Sequence, residues 1–418
     1  MIARAVTNRL VPAIHSFAAA ANADARRVII AKGLRATADG FVSIMLPAYL
    51  LSLGYTPLQI GALMTATLLG SAVLTLFAGT ITGYFGERRP LIAASILMAA
   101  TGLGFAGLTD FWPLLVVAFL GTLNPSSGDV SVFLPLEQSL LARSAIDQSR
   151  TMLFALYSVS ASLMGAVGTL IAGMPDYVLP LGIARIDAMR GLLLLYAGIG
   201  VSAALIYRGI SETHTEHHER RPARLGQSRG IVYRLTALFC ADSFGGGFTV
   251  QSILALWLFD AFRLPVSTAS SIFFWTNILT AISYFVAVRV ARHIGLVNTM
   301  VFTHLPASMC LIAIPFVPNL TWVIVLLLIR SLLSQMDVPT RTSYVMAVVT
   351  PEERPAAASL TAVPRSLASA ISPVLAGALL AVSNFGWPLL ISGMLKATYD
   401  VSLLFAFRHI RPPEERID

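Results

Sequence analysis

Twelve apolar stretches, each long enough to cross a lipid bilayer as a helix, follow one another along this chain of 418 residues. A hydrocarbon core about 30 Å thick needs about 20 apolar helical residues to span it, and its backbone polar groups must be satisfied within the segment. We therefore expect an all-α polytopic membrane protein with twelve transmembrane helices. The stretches occupy residues 28–53, 57–82, 90–109, 112–141, 150–173, 190–208, 232–259, 266–291, 296–316, 321–349, 356–382 and 386–408.

The composition excludes an ordinary soluble protein, because 56% of the residues are hydrophobic and only 12% are charged. The net charge of +8 does not indicate a nucleic-acid partner, since the arginines are scattered between the apolar stretches. Cys240 and Cys310 both fall inside apolar stretches, where a buried thiol is commoner than a disulfide or a metal ligand. We expect no metal site and no cofactor.

Basic residues are distributed unevenly over the gaps between the stretches. Residues 54–56, 109–111, 317–319 and 383–385 contain neither lysine nor arginine, whereas alternate gaps and the C-terminal tail carry several arginines. Basic loops stay on the cytoplasmic side of a membrane. The pattern therefore predicts a multi-pass protein of the plasma (inner) membrane with both termini cytoplasmic.

A polar interruption near the middle of the chain separates six apolar stretches from six more. It predicts a cytoplasmic N-terminal segment, a six-helix bundle, a cytoplasmic linker, a second six-helix bundle and a cytoplasmic tail, at residues 1–27, 28–208, 209–231, 232–408 and 409–418. His214, His217 and His218 in the linker are spaced closely enough to bind a metal. A solvated linker is the favoured interpretation.

The two halves resemble each other in sequence. Asp39 and Asp242 both follow alanine in the first stretch of a half, at an offset of 203 (242 − 39). Asp129 and Asp337 both precede valine in the fourth stretch, at an offset of 208 (337 − 129). Such a repeat is typical of secondary transporters whose site lies between two pseudo-symmetric bundles.

The stretch GTITGYFGERR, residues 79–89, lies between the second and third predicted helices. Its glycines permit a tight turn, and its arginines favour the cytoplasm. It also resembles the loop motif G-x-x-x-D-[RK]-x-G-R-[RK]-[RK] of the major facilitator superfamily. Matching residues are Gly79, Gly86, Arg88 and Arg89, while Gly83, Tyr84 and Glu87 depart from the motif.

This resemblance extends over the chain in helix number, topology and repeat. It implies the major facilitator superfamily fold and alternating access, in which the first, fourth, seventh and tenth helices line a central cavity and the loop motif latches a cytoplasmic gate. It also implies a small-molecule substrate and a monomer in the lipid bilayer. The predicted lining helices carry deep charges, namely Arg35, Asp39, Asp129, Glu137, Asp242, Arg330, Asp337 and Arg341.

Ionisable groups at membrane depth are costly, so a functional role is the default hypothesis for each. We predict proton coupling at Asp39 and Asp242, although an ion pair between Arg35 and Asp39, four residues apart, is an alternative. Predicted substrate contacts are Arg35, Arg330, Arg365, Trp275, Asn277 and Tyr344. Predicted gating residues are Asp129, Glu137, Asp337 and Arg341, with Gly79, Gly86, Arg88 and Arg89 of the loop. Lys396 and Asp400 are four apart in the last stretch, and mutual neutralisation is the interpretation that we give them.

The leading functional hypothesis is a proton-coupled secondary active transporter of a small organic solute, anionic or zwitterionic because of the deep arginines. A proton-coupled multidrug or cation exporter is one alternative, and a non-transporting ligand sensor on a transporter fold is another. The sequence contains no nucleotide-binding loop, zinc-spaced His/Cys set or nucleophile elbow, so an enzyme is not expected.

Overall fold

A computed structural model describes residues 22–126, 131–144, 147–211, 226, 228–350 and 353–408. The regular structure of these residues is helical throughout, and they contain no β-strand. Eight of the helices are long and apolar enough to cross a membrane. The histidines of the linker and Asp129 lie outside the described residues.

The first half contains eight α-helices in the described ranges. In chain order they are α1 (Ala23–Ser52), α2 (Pro57–Phe85), α3 (Arg88–Gly107), α4 (Phe111–Leu120), α5 (Phe133–Ser144), α6 (Asp147–Ile171), α7 (Met174–Val178) and α8 (Arg185–Arg208). The short α7 and a following 3₁₀ turn precede α8. The remaining helices correspond to the six stretches predicted for this half.

The second half has the same order of long helices. They are α9 (Arg229–Gly247), α10 (Gln251–Phe262), α11 (Val266–Ile294), α12 (Leu296–Ala313), α13 (Leu320–Leu333), α14 (Asp337–Val348), α15 (Arg354–Val382) and α16 (Trp387–Phe407). The first predicted span of this half is the pair α9 and α10, and the fourth is the pair α13 and α14.

Three of the predicted spans are interrupted in the structure. The fourth breaks between α4 and α5, the seventh between α9 and α10, and the tenth between α13 and α14. The seventh breaks after Gly245, Gly246 and Gly247, which have weak helix propensity and expose backbone groups. The fourth breaks at Gly121, shortly before Pro125, which cannot donate a helical hydrogen bond.

Two polar contacts identify the side of the bundle on which the linker begins and ends. Asp24 in the first turn of α1 accepts a hydrogen bond from the backbone N–H of Ser211, just after α8, at 3.3 Å. Glu353, just before α15, accepts one from the backbone N–H of Ser228, just before α9, at 3.1 Å. We call this the linker side and the opposite side the far side.

The two halves touch each other through backbone groups in the far-side half of the molecule. The hydroxyl of Ser252, in the first turn of α10, donates to the carbonyl of Ser43 in α1 at 2.9 Å. The backbone N–H of Val374 in α15 donates to Oγ1 of Thr65 in α2 at 3.0 Å. Gly61 of α2 also lies so close to α15 that a Cβ there would collide with the carbonyl of Pro373.

Helix α10 is buried on all sides. Eight consecutive residues, Ser252 to Phe259, are inaccessible or nearly so, with the largest exposed fraction being 8% at Phe259. A helix that is apolar all round needs neighbours on every face. Ser252 contacts first-half residues on two of those neighbours, because its N–H also donates to the carbonyl of Pro125 at 3.2 Å.

Candidate functional site

A buried ion pair links the first and fourth predicted spans. Arg35 of α1 donates from Nη2 to Oε2 of Glu137 in α5 at 2.5 Å, and the side chains are 3% and 0% exposed. Glu137 also accepts hydrogen bonds from the hydroxyls of Tyr157 at 2.7 Å and Tyr207 at 2.6 Å. These four residues form the first-half network. One carboxylate meets one guanidinium and two phenols, so its charges balance.

The position of Arg35 is fixed by packing as well as by charge. Its guanidinium carbon lies 3.7 Å from the ring centroid of Phe133, which is four residues before Glu137 and on the same face of α5. Cations stack favourably on aromatic faces, and more so when desolvated. The described part of the chain supplies no hydrogen-bond acceptor for Nε of Arg35.

Asp39 lies one helical turn beyond Arg35 but is not its hydrogen-bonded partner, which is Glu137. Asp39 is only 9% exposed, and within the described ranges its carboxylate makes no hydrogen bond or ion pair. A buried carboxylate without a paired cation is costly. Asp39 therefore makes no hydrogen bond within the first-half network, although its charge interacts with those of Arg35, Lys32 and Glu137.

A larger set of charges lies in the second half, around Asp242 of α9. Its Oδ1 accepts from Nζ of Lys396 in α16 at 2.8 Å, and its Oδ2 accepts from Nη1 of Arg341 in α14 at 3.3 Å. Arg341 also donates through Nη2 to Oδ2 of Asp337, one turn earlier in α14. The guanidinium of Arg341 therefore bridges two carboxylates on different helices.

His304 of α12 extends this set to the last helix. Its Nδ1 lies 2.9 Å and 3.0 Å from the two carboxylate oxygens of Asp400, and its Nε2 lies 3.8 Å from Oδ1 of Asp242. The hydroxyl of Ser308 donates to Asp400 at 3.4 Å. We call Asp242, His304, Asp337, Arg341, Lys396 and Asp400 the second-half network.

The second-half network contains more acids than permanent cations. Three carboxylates face one guanidinium and one ammonium, and the largest side-chain exposure among the six is 12%, at Lys396. Buried charge is tolerated only when it is paired and hydrogen-bonded. One further positive charge balances the set, and His304 is the group within it that gains a charge by binding a proton.

Comparison with known proteins places this arrangement in a family. The sequence model of the Major Facilitator Superfamily matches residues 28–244 and 235–418 of the chain. The chain belongs to this superfamily.

Solved structures agree with this assignment. The nucleoside transporter NupG is similar with a TM-score of 0.71 at 13% identity, covering 92% of this chain and 99% of that one. A bacterial homologue of the human lysosomal transporter Spinster, in an inward-facing and occupied conformation, gives 0.69 at 14% identity, covering 93% and 97%. At such identities the likeness concerns the fold.

Two relatives in sequence differ in how much of this chain they match. The uncharacterized membrane protein YJR124C of Saccharomyces cerevisiae is 24% identical over 411 residues, covering 90% of this chain and 92% of that protein. The putative multidrug resistance protein MdtD of Yersinia enterocolitica is 33% identical over 91 residues, covering 21% and 19%. The similarity to MdtD is thus local.

Both networks extend beyond the helices that the superfamily resemblance assigns to the cavity. The predicted lining spans supply Arg35, Glu137, Asp242, Asp337 and Arg341. The fifth and sixth spans add two tyrosines, and the ninth and twelfth spans add three ionisable groups. These additional residues are Tyr157, Tyr207, His304, Lys396 and Asp400. Lys396 and Asp400 therefore do not merely neutralise each other.

The predicted substrate contacts are in different environments. Tyr344 is 0% exposed and packs edge-on against Phe407, so it belongs to the hydrophobic core and does not line an open space. Trp275 is 57% exposed. Arg330 is half-buried, and its guanidinium makes no hydrogen bond or ion pair with the described residues. Arg365 is half-buried and has an interaction partner.

Three buried side-chain amides form a further set, and only one of them is among the predicted substrate contacts. Within the described ranges, Nδ2 of Asn124, Nε2 of Gln251 and Nδ2 of Asn277 are buried and have no acceptor. Asn124 precedes Pro125, and Gln251 precedes Ser252, so the first two flank the contact between the halves. Of these residues, the sequence predicted only Asn277 as a substrate contact.

The loop motif is stabilised by contacts inside the first half. Gly86 has a φ of +67°, a conformation that favours glycine. Glu87 accepts a hydrogen bond from Ser139 of α5 at 2.9 Å and forms an ion pair with Arg143. Arg88 and Arg89 begin α3, and Gly79 lies in α2. Glu87, the residue that departs from the motif, thus connects the loop to the fourth predicted span.

Proposed function

We propose that this chain is a secondary active transporter that moves a small organic solute by alternating access, coupled to protons. The superfamily supports the transport class. The observation that carries the proton coupling is the excess of acids in the buried second-half network. Three carboxylates around two permanent cations leave room for one exchangeable proton.

Alternating access requires contacts between the halves that form and break as the halves rock. The far-side contacts of Ser252 and Val374 are of this kind, because each is a hydrogen bond between residues of opposite halves. Gly61 permits close packing of α2 against α15, and it has no side chain that must move when these helices separate. Opening the far side requires that these contacts separate, together with the hydrogen bond from the backbone N–H of Ser267 in α11 to Asp176 in α7 at 2.8 Å.

An anionic or zwitterionic solute fits the buried donors that have no acceptor among the described residues. The amide nitrogens of Asn124, Gln251 and Asn277 are hydrogen-bond donors only, and the guanidinium of Arg330 is always charged. Buried donors gain most from an acceptor that replaces water, and carboxylate oxygens are strong acceptors. These groups therefore favour a solute rich in acceptor oxygens.

Reconstitution into proteoliposomes with a trapped pH-sensitive dye tests this proposal. A small panel of a carboxylate, a zwitterionic amino acid, a nucleoside and the cation ethidium is added in turn. We expect an anionic or zwitterionic member to produce a solute-dependent pH change that Asp242→Asn abolishes. Asp187→Asn, whose native side chain is 61% exposed in α8, is the control and leaves the signal unchanged. Solute flux without a pH change would overturn the proton coupling.

A proton-coupled multidrug or cation exporter is the second candidate, supported by the local similarity to MdtD and by Asp39. A buried carboxylate that makes no hydrogen bond or ion pair with the described residues is a suitable site for a cationic drug. Ethidium transport that Asp39→Asn abolishes, with no response to the anionic and zwitterionic solutes, favours this candidate. Solute binding without any flux favours a sensor on a transporter fold.

We further propose that the protein is a monomer in the plasma (inner) membrane with the linker side cytoplasmic. The arginine distribution over the gaps supports this orientation. Fusion of a fluorescent protein and of a periplasmic phosphatase to the C-terminus tests it. Fluorescence without phosphatase activity is expected, and the reverse pattern would invert the topology.

A further inference from the structure

The imidazole of His304 lies between two carboxylates on different helices. Nδ1 is within hydrogen-bond distance of both oxygens of Asp400, at 2.9 Å and 3.0 Å, while Nε2 is 3.8 Å from Oδ1 of Asp242. The side chains of His304, Asp400 and Asp242 are 4%, 0% and 5% exposed. Water is therefore largely excluded from these three side chains and does not screen their charges.

Every helix packed against α12 contributes to the surroundings of His304. Helix α9 presents Asp242, and α14 presents Arg341 and Asp337. Helix α16 presents Asp400, Lys396 and Tyr399, whose ring centroid is 6.0 Å from that of the imidazole. The charged residues of α11, namely Arg289, Arg292 and His293, are exposed at its C-terminal end. Helix α12 itself adds Ser308, which donates to Asp400, and Cys310, which lies beside Arg330 of α13.

The charges in this environment decide how many protons the network holds. With all carboxylates ionised and His304 neutral, three negative charges face two positive ones in a buried site. An uncompensated buried charge costs several kcal/mol. One bound proton removes it, and His304 is both basic enough to take the proton and hydrogen-bonded to the carboxylate least supplied with cations, Asp400.

We propose that the His304–Asp400 pair is the proton-binding site of this transporter, with Asp242 as the carboxylate that connects it to the remaining charges. The inference rests on the proposed proton coupling and assigns its site. It moves the site from the predicted lining helices to α12 and α16. Of the two aspartates that the sequence predicts for proton coupling, Asp242 belongs to the second-half network and Asp39 does not.

The first-half network serves as an internal comparison. Glu137 is also fully buried, but it is matched by Arg35 and by two phenol hydroxyls, so the set is neutral without an added proton. Of the two networks, the second-half network is the one with an excess of acid. A proton that the protein binds and releases therefore belongs with His304 and not with Glu137.

Nitrogen NMR of the purified full-length chain, labelled with ¹⁵N-histidine in detergent, measures this proton directly. His304→Gln identifies the His304 signals, and His293→Gln is the control for an exposed histidine. We expect protons on both ring nitrogens of His304 in the wild type, because the network then holds equal numbers of positive and negative charges. Signals of a neutral imidazole would overturn the assignment.

Two variants test the charge count with opposite signs. Asp400→Asn leaves two acids facing two permanent cations, so the imidazole should be neutral. Lys396→Gln leaves three acids facing one cation, so the imidazole should keep its second proton. A doubly protonated imidazole in Asp400→Asn, or a neutral one in Lys396→Gln, would contradict the charge count. If Asp400→Asn does not fold, Lys396→Gln and the wild-type spectrum still decide.

The NMR experiment and the proteoliposome assay fail separately. If His304 carries the second proton as expected but solute flux moves no proton, the proposed coupling is wrong and the proton site stands. If flux moves protons while His304 stays neutral, the coupling stands and this site is wrong.

Discussion

Each half has a buried ion pair between its first and fourth spans, but the acid and the base occupy exchanged positions. In the first half an arginine on the first span meets a glutamate on the fourth, and in the second half an aspartate on the first span meets an arginine on the fourth. Glu137 and Arg341 occupy related positions, since their offset is 204 (341 − 137), close to the 203 that separates Asp39 from Asp242. A repeat can thus preserve a contact while exchanging the residues that make it.

The difference lies in what surrounds each pair. Glu137 receives two phenols and no further acid, whereas Asp242 is joined by Asp337 and Asp400 and by a histidine. The first-half network connects four spans at constant charge. The second-half network connects four spans, and under our proposal its charge depends on one proton. We therefore expect substitutions in the first half to affect stability most and substitutions in the second half to affect proton binding most.

The largest expected effect is that of Glu137→Gln. It leaves the guanidinium of Arg35 buried without a carboxylate, and breaking a buried ion pair by removing one partner costs about 3–5 kcal/mol. Thermal unfolding in detergent measures the loss. The double variant Arg35→Leu/Glu137→Leu should recover most of it, because neither member of the pair is then left as a buried charge without the other. A single variant as stable as the wild type would show that the pair is not important for stability.

Tyr207→Phe should have an intermediate effect. It removes a hydroxyl that donates to Glu137 at 2.6 Å, and hydrogen bonds to charged groups contribute about 1.5–3 kcal/mol. The same unfolding assay applies. Tyr196→Phe is the matched control in the same helix, because its hydroxyl makes only a 3.4 Å contact with Thr122 and should matter less. Equal losses in both variants would argue against a specific role of the network.

Glu353→Gln should show a smaller effect that is confined to acid pH. Hydrogen bonds from the Ser228 side chain and the Gly226 backbone lower the pKa of Glu353 below its ordinary value of 4.5. Its contribution to stability is therefore present above pH 4.5 and is lost as the pH falls through the lowered pKa. Between about pH 6 and about pH 3, the wild type should lose more thermal stability than the variant does. Parallel pH profiles would refute this.

The smallest expected effect is that of Tyr399→Phe, the second-half counterpart of Tyr196 at an offset of 203 (399 − 196). Its hydroxyl is buried and has no hydrogen-bond partner among the described residues. Removing such a group is neutral or slightly stabilising, with a change of about 1 kcal/mol or less. A loss as large as that of Tyr207→Phe would mean that the hydroxyl has an acceptor in another conformation.

The fold and the location of the charges could be predicted from sequence, because apolar length and charge at depth are local properties. Pairing could not. A spacing of four placed Arg35 beside Asp39, but helical spacing does not show which carboxylate approaches from another helix, and Glu137 does. His304 gave no signal at all, since a histidine in an apolar stretch reads as a core residue. Lys396 and Asp400 were assigned to each other because their partners, Asp242 and His304, lie far away in sequence.

The interruptions, in contrast, have local causes. Gly245 to Gly247 have weak helix propensity. The break between α13 and α14, at Ser334 to Met336, lies one turn before Pro339, whose ring collides with the carbonyl four residues earlier, that of Gln335.

The burial of α10 has a consequence for biogenesis. A ribosome delivers the first half to the membrane before the second, and α10 finds some of its neighbours, Ser43 and Pro125, only in that earlier half. The second half cannot cover α10 alone, so its maturation depends on the first half having been inserted. Expression of the two halves as separate chains should therefore yield a second half that is degraded unless the first is co-synthesised, which makes the N-terminal bundle an intramolecular chaperone for its partner.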